Sequence, residues 1–415
     1  MVEPEPIAAG EIRATVLFVD IINSTGLSGV QDPTTYNRML TEYQALVFDV
    51  ITDHVARYGY VPRRDQAGRG TDHRYGTDYE WDITGDEARF FLYSDNPAYD
   101  VRSAFQLAVK IKLAWLTSDF NHAAFEDKGL VFDVGIGIHT GKVIREVKDW
   151  RRRSRDTVPR IDGFAINIGK KVEGFSRSGR LFKICVSGNV RSMVEHGRNF
   201  AVRFSSDQQQ KLKDSAIIIA MFEVVSFLDH EVFAFFPDHL RERTFSRMLE
   251  MVEAAHLRRD LFWLYLLRLR YWLIDVTGQP HSRTTAEHII RLGSSIINFA
   301  SQLSEPEQNY IRYYLAAVNN LVALAYVARG LDADQHFARK FFATTVAKID
   351  QQNVPARVHL ARQLLTAGDY KSATKYCADV LMLDPGNPSA QELIEQAARR
   401  AIRENAGPAV ASPVN

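Results

Sequence analysis

The chain has 415 residues and a formal net charge of +1, with 46% hydrophobic and 24% charged residues. This length allows two or three domains, and the composition is that of a globular protein rather than a disordered or fibrous one. The near-neutral charge excludes a broad basic surface, so we expect neither nucleic acid nor membrane as a partner. The first ten residues lack the basic and apolar regions of a signal peptide, and the two cysteines are typical of a reduced compartment. These features predict a cytoplasmic location.

The stretch from Ala14 to Thr25, ATVLFVDIINST, places one carboxylate near the end of an apolar run. Its β-branched residues predict a buried central strand, followed by a helix N-cap at Ser24 or Thr25. Asp20 is costly at the edge of such a strand unless something compensates its charge. A divalent cation is the simplest compensation, and capping of the next helix by Asp20 is the alternative.

Three later stretches carry further chemistry. Trp81 to Tyr93, WDITGDEARFFLY, predicts a β-hairpin with Asp86 at its tight turn. Phe132 to Val143, FDVGIGIHTGKV, predicts a strand with glycine at alternate positions. Asp162 to Ser176, DGFAINIGKKVEGFS, predicts a helix in which Gly163, Asn167 and Lys171 recur every four positions.

In this order, the motifs FVDIINST, ITGDE, VGIGIHTGKV and GFAINIGKK resemble the catalytic domain of class III nucleotidyl cyclases, the adenylate and guanylate cyclase family. The resemblance covers roughly Glu11 to Phe227 and implies an α+β, ferredoxin-like fold. The remainder of the chain predicts an all-α domain. The expected organisation is a polar arm, a cyclase catalytic domain, an α-helical domain and a disordered tail, over residues 1–10, 11–228, 229–403 and 404–415.

Strand patterns stop after Phe227, and amphipathic helices with short connections are expected from His239 onward. Residues 354–390 match a tetratricopeptide repeat at Leu360, Ala361, Gly368, Tyr370, Ala373 and Pro385. One repeat cannot bury its own face, so the preceding helices are expected to stack on it. A plain helix hairpin is the alternative. A protein or phage-derived activator is one candidate partner for this domain.

The resemblance implies that a ribose 3′-oxygen attacks the α-phosphate of a nucleoside triphosphate and expels pyrophosphate. Two divalent metal ions, Mn²⁺ or Mg²⁺, promote such a reaction. The resemblance assigns them to Asp20 and Asp86, with the backbone carbonyl of Ile21 as a further ligand. Phe18 lies two residues before Asp20 on the same face of the strand. It is therefore expected either to line the nucleotide-binding site or to be an ordinary residue of the hydrophobic core.

Asn167 and Lys171 are four residues apart and therefore neighbours on one helix face. In the family, this Asn orients the ribose, and an Arg four residues later stabilises the transition state. Lys171 keeps the charge but loses the planar guanidinium fork, which leaves the transition-state cation open among Lys171, Arg160, Lys170 and the cluster 151–155. Because the family draws the metal carboxylates and the Asn–cation pair from different protomers, a homodimer through the cyclase domain is implied.

The positions that choose the base depart from both purine patterns. The family uses Lys and Asp there for ATP, and commonly Glu and Cys for GTP, whereas this chain has Asp82 and Arg160; a two-residue slip would substitute Asp162. Asp82 accepting a hydrogen bond and Arg160 donating one would suit the edge of uracil or cytosine. Alternatively, Asp82 caps the hairpin and Arg160 belongs to a solvated loop.

The chain is thus most similar to the pyrimidine cyclases of bacterial anti-phage systems called Pycsar. These make cyclic UMP or cyclic CMP as an alarm signal. The alternatives are an adenylate cyclase with atypical base contacts and a catalytically inactive cyclase-fold nucleotide sensor.

Overall fold

The computed structural model describes residues 10–24, 32–60, 78–148, 158–195, 202–205, 208–211, 218–227 and 283–405, with the single positions 247, 262, 265, 266 and 269. The chain divides into two compact units, Met1–Phe262 and Trp263–Asn415. Several predictions lie wholly or largely outside the described residues: the polar arm, the domain boundary after residue 228, the helices predicted over 239–276, the arginine cluster and the C-terminal tail.

The first unit is built on a sheet of nine described strands. They are β1 (Gly10–Ile21), β2 (Tyr79–Thr84), β3 (Glu87–Leu92), β4 (Val134–Lys148), β5 (Val158–Asp162), β6 (Ile184–Ser187), β7 (Val202–Phe204), β8 (Gln208–Lys211) and β9 (Ile218–Phe227). Its described helices are α1 (Pro33–Arg57), α2 (Pro97–Leu116), α3 (Asp119–Lys128), α4 (Phe164–Ser176) and α5 (Gly188–Glu195).

The strand order confirms the predicted α+β, ferredoxin-like fold. The order is β2-β3-β1-β4-β6-β9-β7, with β5 paired to β4 and β8 to β9. Strand β1 is antiparallel to both β3 and β4, and β2 is antiparallel to β3. With helices after β1 and after β3, these four strands form a split βαββαβ unit. Strand β6 adds to it in parallel with β4.

Strand β1 is central, which explains its continuous apolar sequence. It is buried from Ala14 to Ile21 because strands flank it on both sides and helices pack against it. Successive side chains alternate between the two faces, so Val16, Phe18 and Asp20 point to the same face. The helix covering that face is α4.

Two glycines set the distance between α4 and the sheet. A Cβ added at Gly137 of β4 would lie 2.2 Å from the backbone nitrogen of Glu173. A Cβ added at Gly169 of α4 would lie 2.7 Å from Cγ2 of Val16. The alternating glycines of the FDVGIGIHTGKV stretch are therefore a packing requirement of this helix.

The second unit is all-α in its described part, as predicted. It contains α6 (Arg283–Ser301), α7 (Glu305–Arg329), α8 (Asp334–Thr344), a π-helical turn (Thr345–Ile349), α9 (Val354–Thr366), α10 (Tyr370–Leu383) and α11 (Pro388–Asn405). Helices α9 and α10 form a hairpin around Gly368, whose φ is +81°. The hairpin lies where the tetratricopeptide repeat is predicted, and that assignment stays a prediction.

Helix α7 is the one described helix whose length and composition would suffice to cross a membrane. Within this unit, 56% of its most apolar window is buried, and it packs extensively against α6 and α8. Helices in the core of a folded domain show this same combination of length and apolar character, so α7 is weak grounds for a membrane span.

Gly137→Ala is expected to destabilise the first unit by about 3 kcal/mol or more, because the new methyl group meets helix backbone that cannot rotate away. Urea denaturation of both proteins measures the difference. Gly174→Ala on α4 is the matched control: its added Cβ meets nothing within 4 Å, and alanine should stabilise the helix by about 0.5–1 kcal/mol. Equal stability of Gly137→Ala and wild type would contradict the role of close packing.

Candidate functional site

The hairpin of β2 and β3 brings a second carboxylate to the end of β1. Glu87 lies directly opposite Asp20 in the antiparallel register, and Asp86 immediately precedes it in the turn. Gly85 adopts a φ of +62°, and its carbonyl accepts a hydrogen bond from Gln44 Nε2 of α1 at 2.8 Å. The turn thereby holds the Asp86 carboxylate close enough to Asp20 for its negative charge to help raise the pKa of Asp20.

The Asp20 carboxylate is buried and electrostatically strained. Burial raises its pKa to about 6; the positive charge of Lys170 opposes this rise, and the negative charge of Asp86 adds to it. Its Oδ1 atom is buried and has no hydrogen-bond partner among the described residues. Two adjacent carboxylates, one with an oxygen that lacks a partner, therefore lie at the strand end.

This arrangement fits a divalent cation, which prefers carboxylate oxygens and would satisfy the unpartnered atom. Asp20 and Asp86 are the side chains that would hold it. No group of three or more His, Cys, Asp or Glu side chains in the described part of the chain is arranged as a metal site. Further ligands would therefore have to be the Ile21 carbonyl, water or substrate phosphate oxygens.

Helix α4 presents positive charge to Asp20 from the covered face of the sheet. Lys170 Nζ lies 3.1 Å from Asp20 Oδ2, 2.5 Å from Glu87 Oε2 and 2.8 Å from Glu173 Oε2. Arg177 Nη2 donates to Asp20 Oδ2 at 2.6 Å, and its Nε donates to Glu173 Oε1 at 3.2 Å. Burial lowers the pKa of Lys170, but its hydrogen bonds to Glu173 and Glu87 outweigh this and raise it above its ordinary range.

The sequence interpretation named Lys170 among several possible cations but missed the other members of this cluster. Glu173 and Arg177 follow Lys170 at three and seven positions, Arg177 as the C-cap residue directly after α4, and this spacing shares a helix face. Glu87 follows the Gly85-Asp86 turn and returns opposite Asp20. Both signals were present in the sequence, but they become informative only when the helix face that meets the sheet is known.

The structure does not bring Asn167 and Lys171 to Asp20 within one chain. Both side chains are exposed on α4, and no described residue forms an ion pair with Lys171. They lie on a different part of the helix surface from Lys170 and Glu173, which face the sheet. Their roles in orienting ribose and stabilising the transition state stay predictions.

Phe18 and Asp82 belong to one row across the sheet. Asp82 is opposite Arg89 in the hairpin, and Arg89 is opposite Phe18. Asp82 accepts hydrogen bonds from Arg89 and, at 3.2 Å, from Thr84 Oγ1. Phe18 is 2% exposed, and its ring lies beneath Gly169. Asp82 thus has an internal partner and Phe18 is core, and their contacts with a nucleotide stay predictions.

Arg160, for which a solvated loop is the alternative prediction, lies in a strand. The backbone of Arg160 lies in β5, opposite Glu146 of β4, and its side chain is outside the described part of the structure. The proposed pairing of Asp82 and Arg160 at a base therefore remains a prediction from the sequence.

The chain is similar to known proteins over about half of its length. No protein-family model matches the chain. Over 221 residues, 52% of this chain, it is 25% identical to an adenylate cyclase from Anabaena cylindrica, of which it spans 38%. One similar solved structure is the guanylyl cyclase Cya2, with 17% identity over 54% of this chain and 97% of that chain and a TM-score of 0.41. Another is the adenylyl cyclase CyaB from P. aeruginosa, with 17% identity over 53% of this chain and 96% of that chain and a TM-score of 0.38. These relatives are nucleotidyl cyclases.

Asp20→Asn is expected to stabilise the metal-free protein at pH 8. The pKa of Asp20 is about 6 in the folded protein against an ordinary 3.8, so the fold favours the protonated form and loses stability as pH rises from 4 through 6. Because asparagine stays neutral, the gain at pH 8 should be on the order of 1–3 kcal/mol, with little gain at pH 4. Urea unfolding in the presence of EDTA at both pH values measures it.

The control for lost charge is Asp95→Asn, since Asp95 is an exposed carboxylate in the turn before α2. It should change stability by less than about 0.5 kcal/mol at either pH. A lower stability of Asp20→Asn than of wild type at pH 8 would mean that the ion pairs with Lys170 and Arg177 outweigh the burial cost.

Proposed function

We propose that this protein is a nucleotidyl cyclase that converts a nucleoside triphosphate to its 3′,5′-cyclic monophosphate and pyrophosphate. One observation carries the proposal: the carboxylates of Asp20 and Asp86 lie near each other, and one oxygen of Asp20 has no hydrogen-bond partner among the described residues. The order of the four sequence motifs and the similarity to an adenylate cyclase support the same reaction.

In the proposed reaction, the ribose 3′-oxygen forms a bond to the α-phosphorus, the bond to the β-phosphate oxygen breaks, and the 3′-hydroxyl proton passes to solvent. Bound divalent cations, Mn²⁺ or Mg²⁺, would lower the pKa of the attacking hydroxyl and neutralise charge on the phosphates. Asp20 and Asp86 hold the cations. Asn167 positions the ribose, and Lys171 or a nearby cation balances the charge that develops at the α-phosphate.

The exposed position of Asn167 and Lys171 supports an active site shared between two copies of this chain. One copy would supply the carboxylates at the end of β1, and the other would supply the exposed part of α4. A symmetric pair of this kind contains two equivalent sites. We therefore propose a homodimer through the first unit, with any activator acting through the helical unit.

We further propose a pyrimidine triphosphate, UTP or CTP, as the preferred substrate. The product would then be a cyclic UMP or cyclic CMP messenger of the kind used in anti-phage defence. The support is the departure of Asp82 and Arg160 from both purine patterns. Asp82 also lies in the same row of the sheet as Phe18, two residues along the strand from the row that holds Asp20 and therefore on the same face. A contact between Asp82 and the base requires Asp82 to share or break its ion pair with Arg89. The exposure of the Asp82 side chain, 42%, allows this.

Asp20→Ala, Asp86→Ala and Asn167→Ala are each expected to remove nearly all turnover while leaving the protein folded. Losing stabilisation of a charged transition state typically costs several kcal/mol, or a hundredfold and more in rate. The assay incubates purified protein with each of the four ribonucleoside triphosphates and Mn²⁺, and separates the cyclic products by chromatography. Absence of cyclic product from all four in wild type would favour the inactive nucleotide sensor instead.

Mixing the inactive variants tests the shared site. A heterodimer of Asp20→Ala with Asn167→Ala contains one site with both lesions and one with neither, so it should regain at most about half of wild-type turnover. No recovery in a verified heterodimer would place each site within a single chain.

Near-normal turnover of the Asp86→Ala variant would contradict the assignment of the cations to Asp20 and Asp86.

Asp82→Ala should lower the preference for the better pyrimidine triphosphate over ATP by roughly ten- to a hundredfold. A hydrogen bond to a charged group contributes about 1.5–3 kcal/mol, and each 1.4 kcal/mol is a factor of ten. The measured quantity is the ratio of kcat/KM values. Arg89→Ala is the matched control, since it removes the internal partner of Asp82 and leaves the carboxylate in place. Equal ratios in wild type and Asp82→Ala would refute the base contact, and preference for ATP in wild type would indicate an adenylate cyclase.

A further inference from the structure

Arg177, the residue directly after α4, extends its side chain to the end of β1. Its Nη2 donates to Asp20 Oδ2 at 2.6 Å, and its Nε donates to Glu173 Oε1 at 3.2 Å. Gly135 of β4 lies opposite Asp20 in the sheet, and a Cβ added to Gly135 would lie 3.6 Å from Arg177 Cγ. The aliphatic part of Arg177 therefore passes over a position of the sheet that carries no side chain.

The guanidinium group of Arg177 uses only part of its hydrogen-bonding capacity. A guanidinium carries five N–H donors in a planar fork. The bonds to Asp20 and Glu173 take two of them, and the others have no hydrogen-bond partner among the described residues. The side chain is 43% exposed, so a ligand can reach these donors. A planar cation that is held at two points and has free donors is suited to bind phosphate oxygens.

The other cations near Asp20 are less available to a ligand. Lys170 Nζ lies within 3.1 Å of three carboxylate oxygens, and an ammonium group has three donors. Arg89 forms its ion pairs with two carboxylates of the β2–β3 hairpin. Of the two described side chains that donate to the Asp20 carboxylate, Arg177 is therefore the one with donors to spare.

The proposed substrate would place phosphate beside these donors. In the proposed cyclase site, a cation held by Asp20 and Asp86 binds the phosphate chain and so brings it next to the Asp20 carboxylate. Arg177 contacts Oδ2 of that carboxylate, whereas Oδ1 is buried without a partner among the described residues. A cation at Oδ1 leaves the contact at Oδ2 in place, so phosphate can meet Arg177 in its present orientation.

We propose that Arg177 is a substrate-binding residue that contacts the phosphate chain of the nucleoside triphosphate, in the same chain that supplies Asp20 and Asp86. This inference rests on the proposed function and adds a planar cation to its site. Asp20 and Glu173 fix the direction of the guanidinium, and its remaining donors bind phosphate oxygens. Lys171, by comparison, offers a point charge without the fork.

The test measures two affinities of the full-length protein by isothermal calorimetry: for Mn²⁺ alone, and for the preformed Mn²⁺ complex of inorganic tripolyphosphate. Tripolyphosphate has neither base nor ribose, so it isolates the phosphate contact and cannot be cyclised. Arg177→Gln is expected to weaken tripolyphosphate binding roughly ten- to a hundredfold, because charge-assisted hydrogen bonds are lost. Its affinity for Mn²⁺ should be unchanged or higher, because a positive charge beside the cation has been removed.

Arg399→Gln is the matched control, because Arg399 also pairs with a glutamate four residues earlier, on a helix of the second unit. It should leave both affinities as in wild type. Thermal melts establish that the variants fold. If Arg177→Gln does not fold, Arg177→Lys replaces it: lysine keeps the charge beside Glu173 but lacks the fork, and should weaken tripolyphosphate binding at least about threefold.

Equal tripolyphosphate affinity in wild type and Arg177→Gln, or no tripolyphosphate binding by wild type, would overturn the inference and leave the metal site of the proposed function intact. Weaker binding of Mn²⁺ by Arg177→Gln would also overturn it, since Arg177 would then act by holding Asp20 in place. An equal loss in Arg399→Gln would assign the effect to net charge, against the inference. No binding of Mn²⁺ by wild type would contradict the proposed function itself.

Discussion

The close approach of α4 to β1 and β4 is the constraint on which the site depends. Gly137 of β4 faces α4, where a Cβ would lie 2.2 Å from the backbone of Glu173, and Gly169 of α4 faces Val16 of β1. Any larger residue there would lift the helix away from the sheet. Lys170 and Arg177 would then lie farther from Asp20, and their hydrogen bonds to its carboxylate would lengthen. The glycines thus position charged groups as well as packing the core.

The end of β1 carries a conflict between stability and cation binding. Asp20 is costly to bury as an anion, and the approach of Asp86 increases that cost. The fold compensates the charge of Asp20 at one oxygen only, because Lys170 and Arg177 both contact Oδ2. Full compensation would make a more stable protein with no position for a divalent ion. Partial compensation retains a position for the proposed cation, in the way that functional sites generally retain strain.

Helix α4 divides its surface between two tasks. The side that meets the sheet carries Lys170, Glu173 and Arg177, which hold the carboxylates of their own chain. The exposed surface carries Asn167 and Lys171, which are available to another chain. Because one rigid helix bears both sets, a partner that moves α4 would alter the carboxylates and the exposed residues together. This coupling offers a physical route by which an activator bound elsewhere would control a shared site.

The sequence by itself determined the local features of this protein: a buried strand ending at Asp20, a hairpin turning at Asp86, a glycine-spaced strand and the helices of the described part of the second unit. These follow from periodicity and turn chemistry, which act over a few residues. Only the tertiary structure decided that Lys170 rather than Lys171 contacts the Asp20 carboxylate, 150 positions away in the chain. It also decided that Arg89 forms an ion pair with Asp82. The first contact depends on how α4 is rotated on the sheet, a rotation fixed by packing against Gly137 and Val16. The second depends on strand register, which places Arg89 opposite Asp82 and allows the ion pair.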